Sequence, residues 1–131
     1  MGTKIKKAEF LLVLLLFFSI KTTAQNKLLQ MKKYAFNKCI SYNYQKIDST
    51  FYQTYKDASG IQISIIGNFL EDDEMKNKII DYTINKTGLY YSQKNNLHFE
   101  TGEKNIIFCN CLNFYESKEL NVFLKQLLNK R

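Results

Sequence analysis

The sequence predicts an all-α fold: a small single-domain helical bundle of five to six helices, stapled by a disulfide. Three observations carry this expectation. The chain has 131 residues, no proline and only five glycines, too few turn-forming residues for a sandwich or barrel of short strands. Apolar residues recur at steps of three and four through most of the chain. The length suits one hydrophobic core rather than two.

The first two dozen residues stand apart from the fold. Lys4, Lys6 and Lys7 precede an apolar run from Phe10 to Ile20, and Thr22-Thr23-Ala24 supplies small residues before Gln25. This is the tripartite pattern of a secretory signal peptide, with the cut expected after Ala24. The apolar run is well short of the roughly 20 residues that span a bilayer, so no stable membrane insertion is expected. No cysteine beside the cut offers itself to a lipid. Residues 1–24 are thus read as the signal peptide and 25–131 as the mature domain. The full chain carries a net charge of +7. Without its first 24 residues it keeps fifteen basic and eleven acidic side chains, a net +4 with both signs interleaved. That is a weak footprint for nucleic acid, which is not expected as a partner.

In the mature chain, Leu28, Met31, Ala35, Cys39 and Tyr42 line one face of a first helix over 27–46. Asp48 or Ser49 is placed to cap a short second helix with Phe51, Tyr52 and Tyr55. Ser59 and Gln62 have capping-box spacing, and Ile61, Ile65, Ile66 and Phe69 follow as the apolar row of a third. The isoleucines also suit a strand, but the capping box favours helix. Asp72 or Asp73 starts a fourth helix carrying Met75, Ile79, Ile80, Tyr82 and Ile84, with Gly88 as its stop. Residues 92–102 are polar and unperiodic, hence a loop. Thr101 is the expected cap of a fifth helix with two buried rows, Ile107/Cys111/Phe114 and Phe108/Leu112/Tyr115. Ser117 opens the last, whose stripe is Leu120, Phe123, Leu124, Leu127 and Leu128. Lys125, Lys130 and Arg131 suit its C-terminal end.

Export implies an oxidising compartment and therefore a disulfide. Cys39 and Cys111 both lie on apolar helix faces and are the expected pair. Cys109 is about 200° around from Cys111 and points elsewhere; it is left free or available to link two chains. Three buried, reduced thiols are the alternative. The C-x-C spacing gives little support to a thioredoxin-type role.

Other constellations carry little chemistry. Glu71-Asp72-Asp73-Glu74 lacks the spacing of an EF-hand and reads as a solvated helix start. His98, the single histidine, has no thiolate placed beside it for Cys-His catalysis. No cofactor, metal or phosphate-binding motif is present, and the chain reads as a non-enzyme.

Cys111-Leu112-Asn113-Phe114-Tyr115-Glu116-Ser117-Lys118-Glu119-Leu120 resembles the C-L-D-x-Y-x-S-K-E-L motif of a family of type VI secretion immunity proteins. These are the periplasmic partners of the fourth family of type VI amidase effectors. Tyr34 to Tyr44 is similar to that family's first helix, with its Cys-Ile pair, and Asp57-Ala58-Ser59 resembles its D-A-[SG] step. The likeness covers most of residues 28–128; Asn113 stands where the family has Asp. The resemblance implies an all-α protein in the periplasm, homodimeric, that blocks a Cys-His peptidoglycan amidase and so protects the producing cell and its sisters. The family's two cysteines match Cys39 and Cys111, and Cys109 is additional. The motif itself reads as structural: Ser117 caps the last helix, Lys118 and Glu119 lie in its first turn, and Tyr115 and Leu120 pin the corner.

An inhibitor needs a rigid body and a segment that enters the enzyme's cleft. The loop 92–102 is the candidate. Gln93, Lys94, Asn95, Asn96 and His98 offer hydrogen bonds, and Leu97 or Phe99 an apolar anchor. Two other classes fit the same body: an inhibitor of another exported cell-wall hydrolase such as a lysozyme, and a periplasmic structural domain without an enzyme target.

Overall fold

The computed structural model describes residues 2–67, 73–95 and 104–129, with side chains for 25–67, 73–94 and 104–129. Within these the chain is a small all-α domain. Its elements are α1 (Gly2–Ile47), α2 (Phe51–Tyr55), α3 (Ser59–Ile66), α4 (Asp73–Thr87), a 3-10 turn (Tyr90–Ser92), β1 (Lys94–Asn95), β2 (Lys104–Asn105), α5 (Ile107–Glu116) and α6 (Lys118–Asn129). The segment read as a signal peptide is continuous with the first helix in α1. Among the described residues no helix is long and apolar enough to cross a membrane.

α1 is the central post, against which α3, α4, α5 and α6 all pack. It contributes Met31, Tyr34, Ala35 and Cys39 to the core. Met75 and Ile79 come from α4, Ile107, Cys111 and Phe114 from α5, and Leu120 and Leu124 from α6. The expected face of α1 is buried from Met31 to Cys39, whereas Tyr42 at its end is only part-buried and Asn43 takes the buried position there; the expected disulfide forms on this face. Cys39 and Cys111 are bonded, with Cα atoms 5.8 Å apart and a sequence separation of 72. Cys109 is free and exposed.

α6 buries its leucine stripe as expected. Ser117 caps it, its Oγ accepting from Leu120 N at 3.1 Å. Phe123 stacks on Tyr82 of α4 with ring centroids 3.8 Å apart, and Lys86 of α4 pairs with Glu119 at 2.5 Å. α4 starts at Asp73 and stops before Gly88, a Cβ at which would lie 2.6 Å from the Ile84 carbonyl oxygen.

Four expectations are corrected. The third helix exists, but the apolar row expected to be buried faces out: Ile61 is 64 % exposed and Ile65 53 %, while Ile63 packs against the core. α3 packs chiefly on α1, through its small residues and Ile63. Gly60 sits against Asn37, where a Cβ would meet Asn37 Oδ1 at 2.7 Å, and Ser64 is buried one turn on. Close approach selects those residues and turns Ile61 and Ile65 to solvent.

The caps differ too. α3 begins at Ser59, and the capping acceptor is Asp57, whose Oδ1 takes both Ser59 N and Ser59 Oγ. Of the two residues expected to cap α2, Asp48 is the one that serves, its Oδ1 taking Thr50 N and Thr50 Oγ1 one residue before the helix; Ser49 takes no such role.

The second row of α5 is a rim rather than core. Phe108 is 59 % exposed and Leu112 is also exposed, while Phe108 and Tyr115 rest edge-on against Phe36. A ten-residue helix on one face of α1 has room to bury only one row. Finally, α5 begins at Ile107, where Asn105 Oδ1 accepts from the first amide. Thr101, the expected cap, lies outside the described residues, as do Phe69, Glu71, Asp72, Lys130 and Arg131.

Candidate partner-binding site

Of the loop expected over 92–102, Ser92 ends the 3-10 turn and Lys94–Asn95 form β1, while residues 96–102 lie outside the described residues. β1 and β2 pair antiparallel, Lys94 opposite Asn105 and Asn95 opposite Lys104. Two residues a side make a weak ladder on their own, so the root of the hairpin must be held by the helical body.

Asn43 holds it. This side chain is fully buried in α1. Its Nδ2 donates to Cys39 O at 2.9 Å and to Thr87 O at 3.0 Å, and its Oδ1 accepts from Tyr91 N at 2.8 Å. One amide thus satisfies a carbonyl left open at the end of α4 and the backbone of the 3-10 turn, and fixes both to the central helix. A second tie comes from α5, where Asn110 Nδ2 donates to Gln93 Oε1 at 2.6 Å. Tyr90 and Tyr91 pack against the core beside this root. Burial, and then the Glu119 carboxylate, push the Tyr90 phenol above its ordinary pKa.

The site residues expected from sequence fall in two groups. Gln93, Lys94 and Asn95 sit on the hairpin root, with Gln93 and Lys94 exposed. Asn96, Leu97, His98 and Phe99 lie outside the described residues. The C-terminal motif is architectural. Tyr115 sits under the Lys32 ammonium, 4.4 Å from its ring centroid, Ser117 is the cap, Glu119 ties α6 to α4, and Leu120 is fully buried. Lys118 is exposed.

Asn43 and Asn110 are the positions of the candidate site that sequence reasoning missed. Asn43 left a trace: it lies four residues after Cys39, where a core position was due. Among the described residues no three His, Cys, Asp or Glu side chains are grouped to hold a metal. Asp73 pairs with Lys76 and Glu74 with Lys78, so the described half of the acidic run serves the first turns of α4.

The chain is therefore a small all-α domain with one internal disulfide and a two-residue antiparallel β1–β2 pair beside a clamped turn. No protein-family profile matches it, and no curated protein or solved structure is similar to it.

Proposed function

We propose that the chain is a periplasmic immunity protein that binds a type VI secreted peptidoglycan amidase and occludes its Cys-His cleft with the 93–99 segment. The observation that carries this reading is the Asn43 clasp. A buried, fully hydrogen-bonded amide spent on the root of a two-residue ladder is what a presented loop requires, because a loop ordered in advance loses less entropy on binding. The C-terminal motif supports the family assignment, and the Cys39–Cys111 bond suits an oxidising compartment.

In this reading the chain needs no chemistry of its own. The helical body supplies rim contacts, and the 93–99 segment supplies hydrogen-bonding side chains with an apolar anchor at 97 or 99. Interfaces of about 1,600 Å² suffice for tight enzyme–inhibitor pairs. The homodimer that the resemblance implies belongs to the same proposal.

The test is survival on co-expression. A Cys-His amidase from the same genome is exported to the periplasm of a test cell, with or without this chain. Rescue from lysis by the intact chain, lost when residues 93–99 are replaced by alanine, is the expected result. Failure to rescue, with both proteins present and folded, would reject the reading and turn attention to other exported hydrolases.

A further inference from the structure

A groove of about 510 Å³ opens between α1, α3 and α4, with no part in the hairpin. One α1 face forms its floor, including Asn37 and Lys38. Ile61 of α3 forms one apolar wall, and Ile80 and Ile84 of α4 the other. Lys76 precedes Ile80 by one turn, so the α4 row that lines the groove leads back to a cation.

Lys38 is the unusual member. It is half-buried, yet its ammonium pairs with no carboxylate among the described residues. It lies instead 5.2 Å from the centroid of the Tyr34 ring. Burial, and then the neighbouring Lys76 charge, hold its pKa below the ordinary lysine value. A partly desolvated cation without a counter-ion is costly, and an arriving anion relieves that cost. The Asn37 amide, on the adjacent residue, forms no hydrogen bond with the described residues and is available as a neutral donor. Asp57 is the one acid among the groove's lining residues, and its Oδ1 is already engaged by Ser59. The groove is therefore polarised, cationic at Lys38, anionic at Asp57 and apolar between its helical walls.

We propose that this groove docks an acidic segment of a protein partner, its carboxylate against Lys38 and an adjacent apolar side chain against Ile61, Ile80 and Ile84. The site is independent of the hairpin and of the enzyme it is proposed to block.

The exported chain, isotopically labelled, is titrated by NMR with acetyl-Leu-Glu-Leu-amide, with its Gln counterpart, and with sodium acetate. The Glu peptide should shift the Ile61, Ile80 and Ile84 methyls and the Gly60 amide, and bind about tenfold more tightly than the Gln peptide, the size of one charge-assisted contact. Lys38→Met keeps the aliphatic stem and should erase that ratio while leaving the rest of the spectrum in place. Equal affinity for the two peptides, no shift from either, shifts centred elsewhere, or the same methyl shifts from acetate alone would each overturn the proposal.

Discussion

Replacing Asn43 by alanine isolates the device that roots the hairpin. The side chain serves three backbone groups. Cys39 O keeps its helical partner without it. Thr87 O and Tyr91 N do not, and a buried group stripped of its partner costs about 1–3 kcal/mol. Two such groups give about 2–6 kcal/mol, and a water entering the space brings the expected loss to about 3 kcal/mol. Against a typical stability of about 5–15 kcal/mol the variant stays folded. Urea unfolding of the disulfide-intact chain measures the loss, and amide exchange locates it. Tyr91 should exchange much faster, while Leu124 in α6 keeps its protection relative to the global stability. The proposed inhibition of an amidase should fall further than stability does, because the clasp fixes the backbone that leads into the proposed binding segment. A loss below about 0.5 kcal/mol, within the range of an ordinary surface change, or an unchanged Tyr91 rate, would refute the clasp.

Three further outcomes follow from the same geometry. Converting both Cys39 and Cys111 to alanine should cost about 4 kcal/mol, from the chain entropy of a loop of about 70 residues, read as a lower urea midpoint against the oxidised wild type. Thr83 is fully buried and its hydroxyl has no partner among the described residues, so Thr83→Val should raise stability by about 1 kcal/mol in the same assay; a loss would mean that the hydroxyl is satisfied in solution. Asp48 and Asp57 are held below the ordinary aspartate pKa, chiefly by the side-chain hydrogen bonds from Thr50 and Ser59. Depressed carboxylates add stability that is complete above the unfolded-state pKa and is lost as pH falls through the folded one. Their carboxyl carbons should therefore titrate by NMR at lower pH than in the urea-unfolded chain, and the Thr50 and Ser59 amide shifts should follow the same midpoints.

Much of the fold was legible because its strongest signals are local and periodic. The α6 stripe, the Met31–Ala35–Cys39 face of α1 and the boundaries of α4 at Asp73 and Gly88 follow from spacing and end chemistry. The disulfide was legible because Cys39 and Cys111 each fall on an apolar face. Illegible features have a different physics. The buried side of α3 is its small side, Gly60 and Ser64, since closeness to α1 outweighs the hydrophobicity of Ile61 and Ile65; periodicity finds the helix but not the direction it faces. Phe108 and Leu112 read as core because a sequence does not say how many helices surround α5. The hairpin root consists of two Lys-Asn pairs, which show no alternation. Asn43 satisfies groups more than 40 residues away, and no local pattern announces such a contact.

The proposed activity stands or falls with one measurement. The exported chain is titrated into a purified Cys-His peptidoglycan amidase from the same genome, and hydrolysis of cell-wall stem peptide is followed. The result expected here is inhibition that saturates at a fixed stoichiometry and that the alanine replacement of residues 93–99 abolishes without unfolding the chain. Full amidase activity in the presence of excess folded chain, or inhibition that survives that replacement, would contradict it.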